Sequence, residues 1–192
     1  MPPHKHQELL TAAVQRDGEA QRALLAGDRD AARAEFAEAA QLYRQSWEAA
    51  PPTAYGRLVG MLKSSALAGS GASEAEYVLA ALRDADPQSP TASYARALAA
   101  LILGDDEDAR AWARRMSAGG DAFARTAEAI AALAGNDAAR LEGALAEIVH
   151  DFERRTEHLT GVAIADTALM LAVLAARRGM AVAIESPVLP AL

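Results

Sequence analysis

Four side chains in the last third of the chain have the types and spacing to meet a ligand. Glu147, His150, Arg154 and Glu157 are separated by three, four and three residues. At 3.6 residues per turn they fall within about 40° of one helix face. His158 follows directly. Two carboxylates and an imidazole could hold a metal, but no other segment supplies an obvious His partner to complete a tetrahedral set. Opposite charges three and four residues apart also stabilise an exposed helix with no ligand present. The spacing therefore predicts a solvated face, with His150, Arg154 and His158 open to a partner. No metal and no cofactor are expected.

Other chemical candidates have simpler readings. Asp105-Asp106-Glu107-Asp108 lacks the alternating ligands and central Gly of a calcium loop. Its carboxylates suit the positive end of a helix dipole. Gly69-Ser70-Gly71-Ala72-Ser73 has neither the preceding strand nor the Gly-Lys-Ser/Thr of a phosphate cradle, and reads as an inter-helix turn. His4-Lys5-His6 follows Pro3, which lacks the amide nitrogen that a terminal copper site would use. No Cys is present, so thiol chemistry, iron–sulfur clusters and disulfides are out. No paired-carboxylate motif appears either, and a non-enzymatic protein is expected.

The elements that would position these groups are helical. Of the 192 residues 50 are Ala, the best helix former and one that lets helix axes come close. Only 5% are aromatic. Nine helices are expected: 4–26 with Asp17-Gly18 as a break, 28–50, 53–68, and one capped by Ser73 with Glu76 in a capping box, ending before Pro87. The others are 91–103, 106–117, 122–134 with Asp121 as cap, 137–157 and 165–178. Arg177 and Arg178 would complement the dipole of that last helix. A short extended run follows over 181–185. The apolar stretch 162–176 contains Asp166 and is too short to span a bilayer. The first residues hold no hydrophobic signal core, and a cytoplasmic protein is expected.

Net charge is −7, from 17 Arg, 2 Lys and 26 acidic residues. The skew toward Arg suggests a GC-rich bacterial genome. No basic stripe is dense enough to track phosphates, so nucleic acid is not an expected partner, nor is a membrane. An acidic surface suits a basic protein partner.

One phrase recurs. Leu24-Leu25-Ala26-Gly27-Asp28 precedes Ala32, Phe36 and Ala39; Leu101-Ile102-Leu103-Gly104-Asp105 precedes Ala109, Trp112 and Ala113; Ala132-Leu133-Ala134-Gly135-Asn136 precedes Leu141 and Ala144. Each joins an apolar helix end, a Gly suited to positive φ, a capping Asp or Asn, and a small-residue seam. With Gly71, the turn glycines are 44, 33 and 31 residues apart. In these spacings, and in Gly27, Ala32, Phe36 and Ala39, the chain resembles the tetratricopeptide-repeat family. The early Trp, Leu-Gly and Tyr signature of that family is missing. The resemblance covers about residues 10–155 and implies an all-α fold of antiparallel helix pairs stacked as a superhelical array. It also implies a concave face lined by the first helix of each pair, which makes Tyr55, Lys63, Tyr94 and Arg125 the expected contact set. Residues 156–192 would cap the array within one domain spanning 1–192. Their apolar helix, Arg177-Arg178-Gly179, extended run and Ser186-Pro187-Val188-Leu189-Pro190 resemble the tail of the immunity protein 49 family of bacterial toxin systems.

The expected function is protein–protein interaction, in its most specific form an immunity protein that masks a basic toxin. The alternatives are a helical-repeat adaptor or oligomerising scaffold that holds a peptide or helix, and a small-molecule binder or enzyme with a pocket between helices. Homo-oligomerisation is left open.

Overall fold

A computed structural model describes residues 4–190. Pro3 lies outside them. The described residues form nine α-helices: α1 Lys5–Leu25, α2 Arg29–Ala49, α3 Gly56–Ala68, α4 Ala72–Ala81, α5 Pro90–Leu103, α6 Asp106–Met116, α7 Asp121–Ala134, α8 Ala138–Glu153 and α9 Asp166–Arg177. A short 3-10 turn, Ser117–Gly119, joins α6 to α7, and there is no β-strand among the described residues. The fold is an all-α helical array. Each helix packs on the next, α5 also meets α3 and α7, and α9 lies against α3, α7 and α8.

The recurring phrase explains the turns. Asp28, Asp105 and Asp137 each accept a hydrogen bond from a backbone N–H in the first turn of α2, α6 and α8, at 3.0, 3.3 and 3.0 Å. Such caps each contribute about 1 kcal/mol. Gly27 and Gly104 take positive φ, 79° and 81°. The third copy differs: Gly135 has φ −86°, and Asn136, at φ 52°, makes the left-handed step. Asn tolerates that region because its short polar side chain adapts to it.

Alanine then sets the packing. On α5, Ala92, Ala95, Ala97, Leu98, Ala99, Ala100 and Leu101 are all buried, so this helix has neighbours on nearly every side. Ala32, Phe36 and Ala39, with Ala109 and Ala113, are buried as their seams require, and Trp112 is half-buried.

Several helix ends depart from the sequence reading. Helix α1 runs unbroken through Asp17-Gly18. Gly18 serves close approach instead, since a Cβ there would lie 2.9 Å from the Thr160 carbonyl oxygen. Helix α3 begins at Gly56, three residues later than expected, and α7 includes Asp121, with Gly120 at the cap position. Helix α4 starts at Ala72, with Gly71 (φ 132°) before it, so Ser73 lies inside the first turn and the capping box does not form. It ends at Ala81, and the buried Arg96 donates to the carbonyls of Leu82 and Ala85 just beyond.

Arg177 and Arg178 stand at the C-terminal end of α9, where their charges suit its dipole as expected, but their guanidiniums reach to other helices. Arg177 donates to the Ala66 carbonyl at 2.6 Å, and Arg178 to that of Leu101 at 2.6 Å and to Asp106 at 2.6 Å. They satisfy the C-terminal carbonyls of α3 and α5 and so fasten α9 across the array. Residues 181–185 form no strand. The tail turns at a lone bridge between Ser186 and Leu189, and Met180 and Val188 enter the core.

Candidate functional site: a chamber behind helix α9

Helix α8 ends at Glu153 rather than Glu157. Beyond it the chain crosses to α1. The His158 ring stacks on Phe152, centroids 6.2 Å apart, and Thr160 donates to the buried Gln21 at 2.5 Å. The segment exchanges helical hydrogen bonds for tertiary contacts, and residues 154–165 become a strap from α8 over α1 to α9. Beneath it lies a chamber of about 430 Å³, walled by α1, α2, α3, α5, α7, α8, the strap and the start of α9. The volume is that of a small-molecule site.

Much of the lining is apolar. Leu10, Val14 and Phe36 come from α1 and α2, and Phe123, Ile148 and Phe152 from α7 and α8. Val162 and Ile164 close it from the strap.

Two polar groups enter from α1–α3 and α9. In the first, Asp17 accepts hydrogen bonds from the Tyr43 hydroxyl at 2.8 Å and the Ser64 hydroxyl at 2.7 Å. Gly60 makes this possible: a Cβ there would lie 2.7 Å from the Tyr43 ring, which crosses α3 at that point. Burial pushes Asp17 up to about 6, despite the opposing pull of its two donors and of Lys63. At neutral pH this carboxylate is therefore a ready proton acceptor.

In the second group, Lys63 donates to Asp166 at 2.5 Å and to Thr167 at 3.1 Å. Burial alone would lower the Lys63 ammonium. The charge of Asp166 and its hydrogen bond, with Tyr94 and Asp17 nearby, outweigh burial and hold it raised and protonated. The Tyr94 ring packs edge-on against Phe123, centroids 6.2 Å apart. Its hydroxyl, near Lys63 and Thr167, is buried without a hydrogen bond of normal length, as are His158 Nδ1 and, away from the chamber, Arg96 Nη1. Buried polar atoms without partners are few in folded proteins, and each calls for a partner such as ordered water or a bound molecule.

At the lip, Arg125 stands 2.9 Å from one oxygen of Asp151, and Arg155 donates to the other at 2.5 and 3.1 Å. Arg155 also lies over the Phe152 ring at 4.0 Å. Leu159 is 83% exposed beside them.

Of the residues singled out in the sequence, Lys63, Tyr94, Arg125 and His158 converge on this chamber. Tyr55 does not. It is half-buried against Trp47 at another edge, centroids 6.0 Å apart. The face expected to join His150 to His158 does not exist as one surface, because the helix stops before Glu157. His150 is exposed and paired with Glu153 at 3.6 Å, Arg154 is exposed at the helix end, and His158 turns inward. Among the described residues no three His, Asp or Glu side chains gather as a metal-binding group. No described helix is long and apolar enough to cross a membrane.

Sequence reasoning missed Asp17, Tyr43, Ser64, Asp151 and Arg155. Asp17 had a signal: it sits four residues after Ala13 and three before Ala20, a charge on an otherwise small, inward seam. Asp166 is likewise the lone charge of its apolar stretch. No protein-family model, no curated protein and no solved structure matches this chain.

Proposed function

We propose that this is a binding protein whose working site is the chamber, and that its guest is a small, largely apolar molecule held between helices. The convergence of an apolar cavity with the unpartnered Tyr94 hydroxyl and His158 Nδ1 carries the reading. Binding sites for small molecules combine these properties, with a mainly apolar lining and a few placed polar groups. The reading requires no chemistry on the guest, and a non-enzymatic role remains the proposal. An environment-sensitive apolar fluorophore titrated into the full chain tests it. Thr167→Trp, which fills the space beside Lys63, should weaken uptake at least tenfold with the melting temperature little changed. Uptake by the variant equal to that of the wild type would place the fluorophore elsewhere and defeat the reading.

A second reading rests on Leu159, exposed at the lip of an acidic protein. A basic protein partner, such as a toxin masked by an immunity protein, would cover that leucine and insert a side chain into the chamber. Charge of opposite sign would speed its association. A stoichiometric complex lost on Leu159→Asp supports this version. A complex unaffected by that change opposes it.

A further inference from the structure

Given the chamber as the binding site, we propose that its guest carries a carboxylate, held at the lip by Arg125 and Arg155, with its apolar body directed inward. The lip is cationic by composition: two guanidiniums share the single carboxylate of Asp151. That carboxylate is held below its usual range, chiefly through the hydrogen bond from Arg155, with the charges of Arg155, Arg125 and Arg154 adding to it. One positive charge is left over from the Arg125–Asp151–Arg155 group.

The geometry matches a carboxylate in particular. Asp151 already places one oxygen on each arginine, which shows that the pair is set to the width of a carboxylate group. A guanidinium carries five N–H donors in a fixed fork, so each arginine retains donors after binding Asp151. The stacking of Arg155 on Phe152 holds one fork in place. Immediately inside stand Phe123, Phe152, Ile148 and Val162, an apolar channel for the rest of the molecule. His158 Nδ1, buried and unpartnered beside Phe152, offers a further polar contact near the same level. A cationic guest would meet the guanidiniums first, and a neutral one would leave their charge unanswered.

The test compares octanoate, octanol and octylamine by displacement of the apolar fluorophore from the full chain. Octanoate should bind at least tenfold tighter than octanol, and octylamine the weakest. In Arg125→Gln the octanoate-to-octanol ratio should fall to within about twofold. Asp151→Asn frees both guanidiniums and should raise the ratio several-fold, which decides the matter even if Arg125→Gln does not fold. Equal affinities for octanoate and octanol, or a ratio unchanged in the folded variants, would overturn the carboxylate assignment while leaving the chamber as an apolar site. Failure of the fluorophore and all three probes to enter would overturn the chamber itself, and this proposal with it.

Discussion

Arg96 and Lys63 are both cations drawn into the interior of an alanine-rich array, and they are treated in opposite ways. Arg96 makes no close ion pair among the described residues, and Asp86 acts on it only from a distance. Its guanidinium meets the carbonyls of Leu82 and Ala85 after α4 and lies over Trp112 at 4.4 Å. Burial lowers its basicity, and the space beside it is a shallow surface hollow walled by α4, α5, α6 and the turn after α4, rather than a chamber set among many helices. Lys63 has a full ion pair with Asp166, two tyrosines and Asp17 in its surroundings, and about 430 Å³ of space in front. The first arrangement uses charge to close a helix end. The second holds polar groups around an empty volume, where each carries a desolvation penalty that close packing would have avoided. The Arg96 guanidinium, although one of its nitrogens is buried without a partner, serves the end of α4, whereas the Lys63 group lines the chamber on which the proposed function rests.

The largest expected effect tests the Lys63 side. Asp17 is lifted to about 6, whereas an unfolded-chain Asp titrates near 4. The folded state therefore binds more protons between these values, and the Asp17 contribution is most favourable below about pH 4 and declines as pH rises through 6. Asp17→Asn should gain about 2–3 kcal/mol on the wild type between pH 4 and pH 7, read from urea unfolding at each pH. A constant gap across that range would show that Asp17 is solvated and the chamber floor open.

Arg96→Met comes next. It retains an apolar stem for Trp112 but removes a donor from the part-buried Ala85 carbonyl and the second donor of the Leu82 carbonyl, which keeps the Ala85 N–H, a loss of about 1–2 kcal/mol. Fluorophore uptake should be unchanged at temperatures where the variant is folded. Altered uptake would couple the two cations and break the distinction. The smallest effect belongs to His150→Ala. His150 is exposed on α8 and does not line the chamber, so stability should move by less than about 0.5 kcal/mol and probe affinity not at all. A measurable loss of binding would return the site to the outer face of that helix.

The same contrast separates what was legible in the sequence from what was not. Gly27-Asp28 and Gly104-Asp105 could be read because positive φ and an N-cap are local choices, made by residues adjacent in the chain. Gly135 misled because Asn136 beside it meets the same backbone demand. The Ala and Phe36 seams were legible through their spacing. The chamber was not, because its polar members sit on helices distant in sequence, each disguised as a single exception within a good amphipathic pattern. Lys63, Tyr94 and Arg125 emerged as contact residues only through the concave face implied by the repeat resemblance. Their convergence depends on α9 and the strap, whose course no periodicity specifies. Glu147, His150, Arg154 and Glu157 misled for the converse reason: their helical spacing presupposed four more residues of α8 than the chain forms.

The ion pair that spans α3 and α9 joins residues 103 positions apart. Helix pairs α1–α2 and α5–α6 close over short turns and can form while the chain is still being made, since local contacts need little loop closure. Arg177 and Arg178 have no carbonyls to grasp until α3 and α5 have both finished their last turns. The chamber is thus complete only once the strap and α9 have docked, and without them the other helices leave an open trough with its apolar floor uncovered. A guest present during synthesis would meet that trough before the strap closed, so its entry can belong to folding rather than to any later opening.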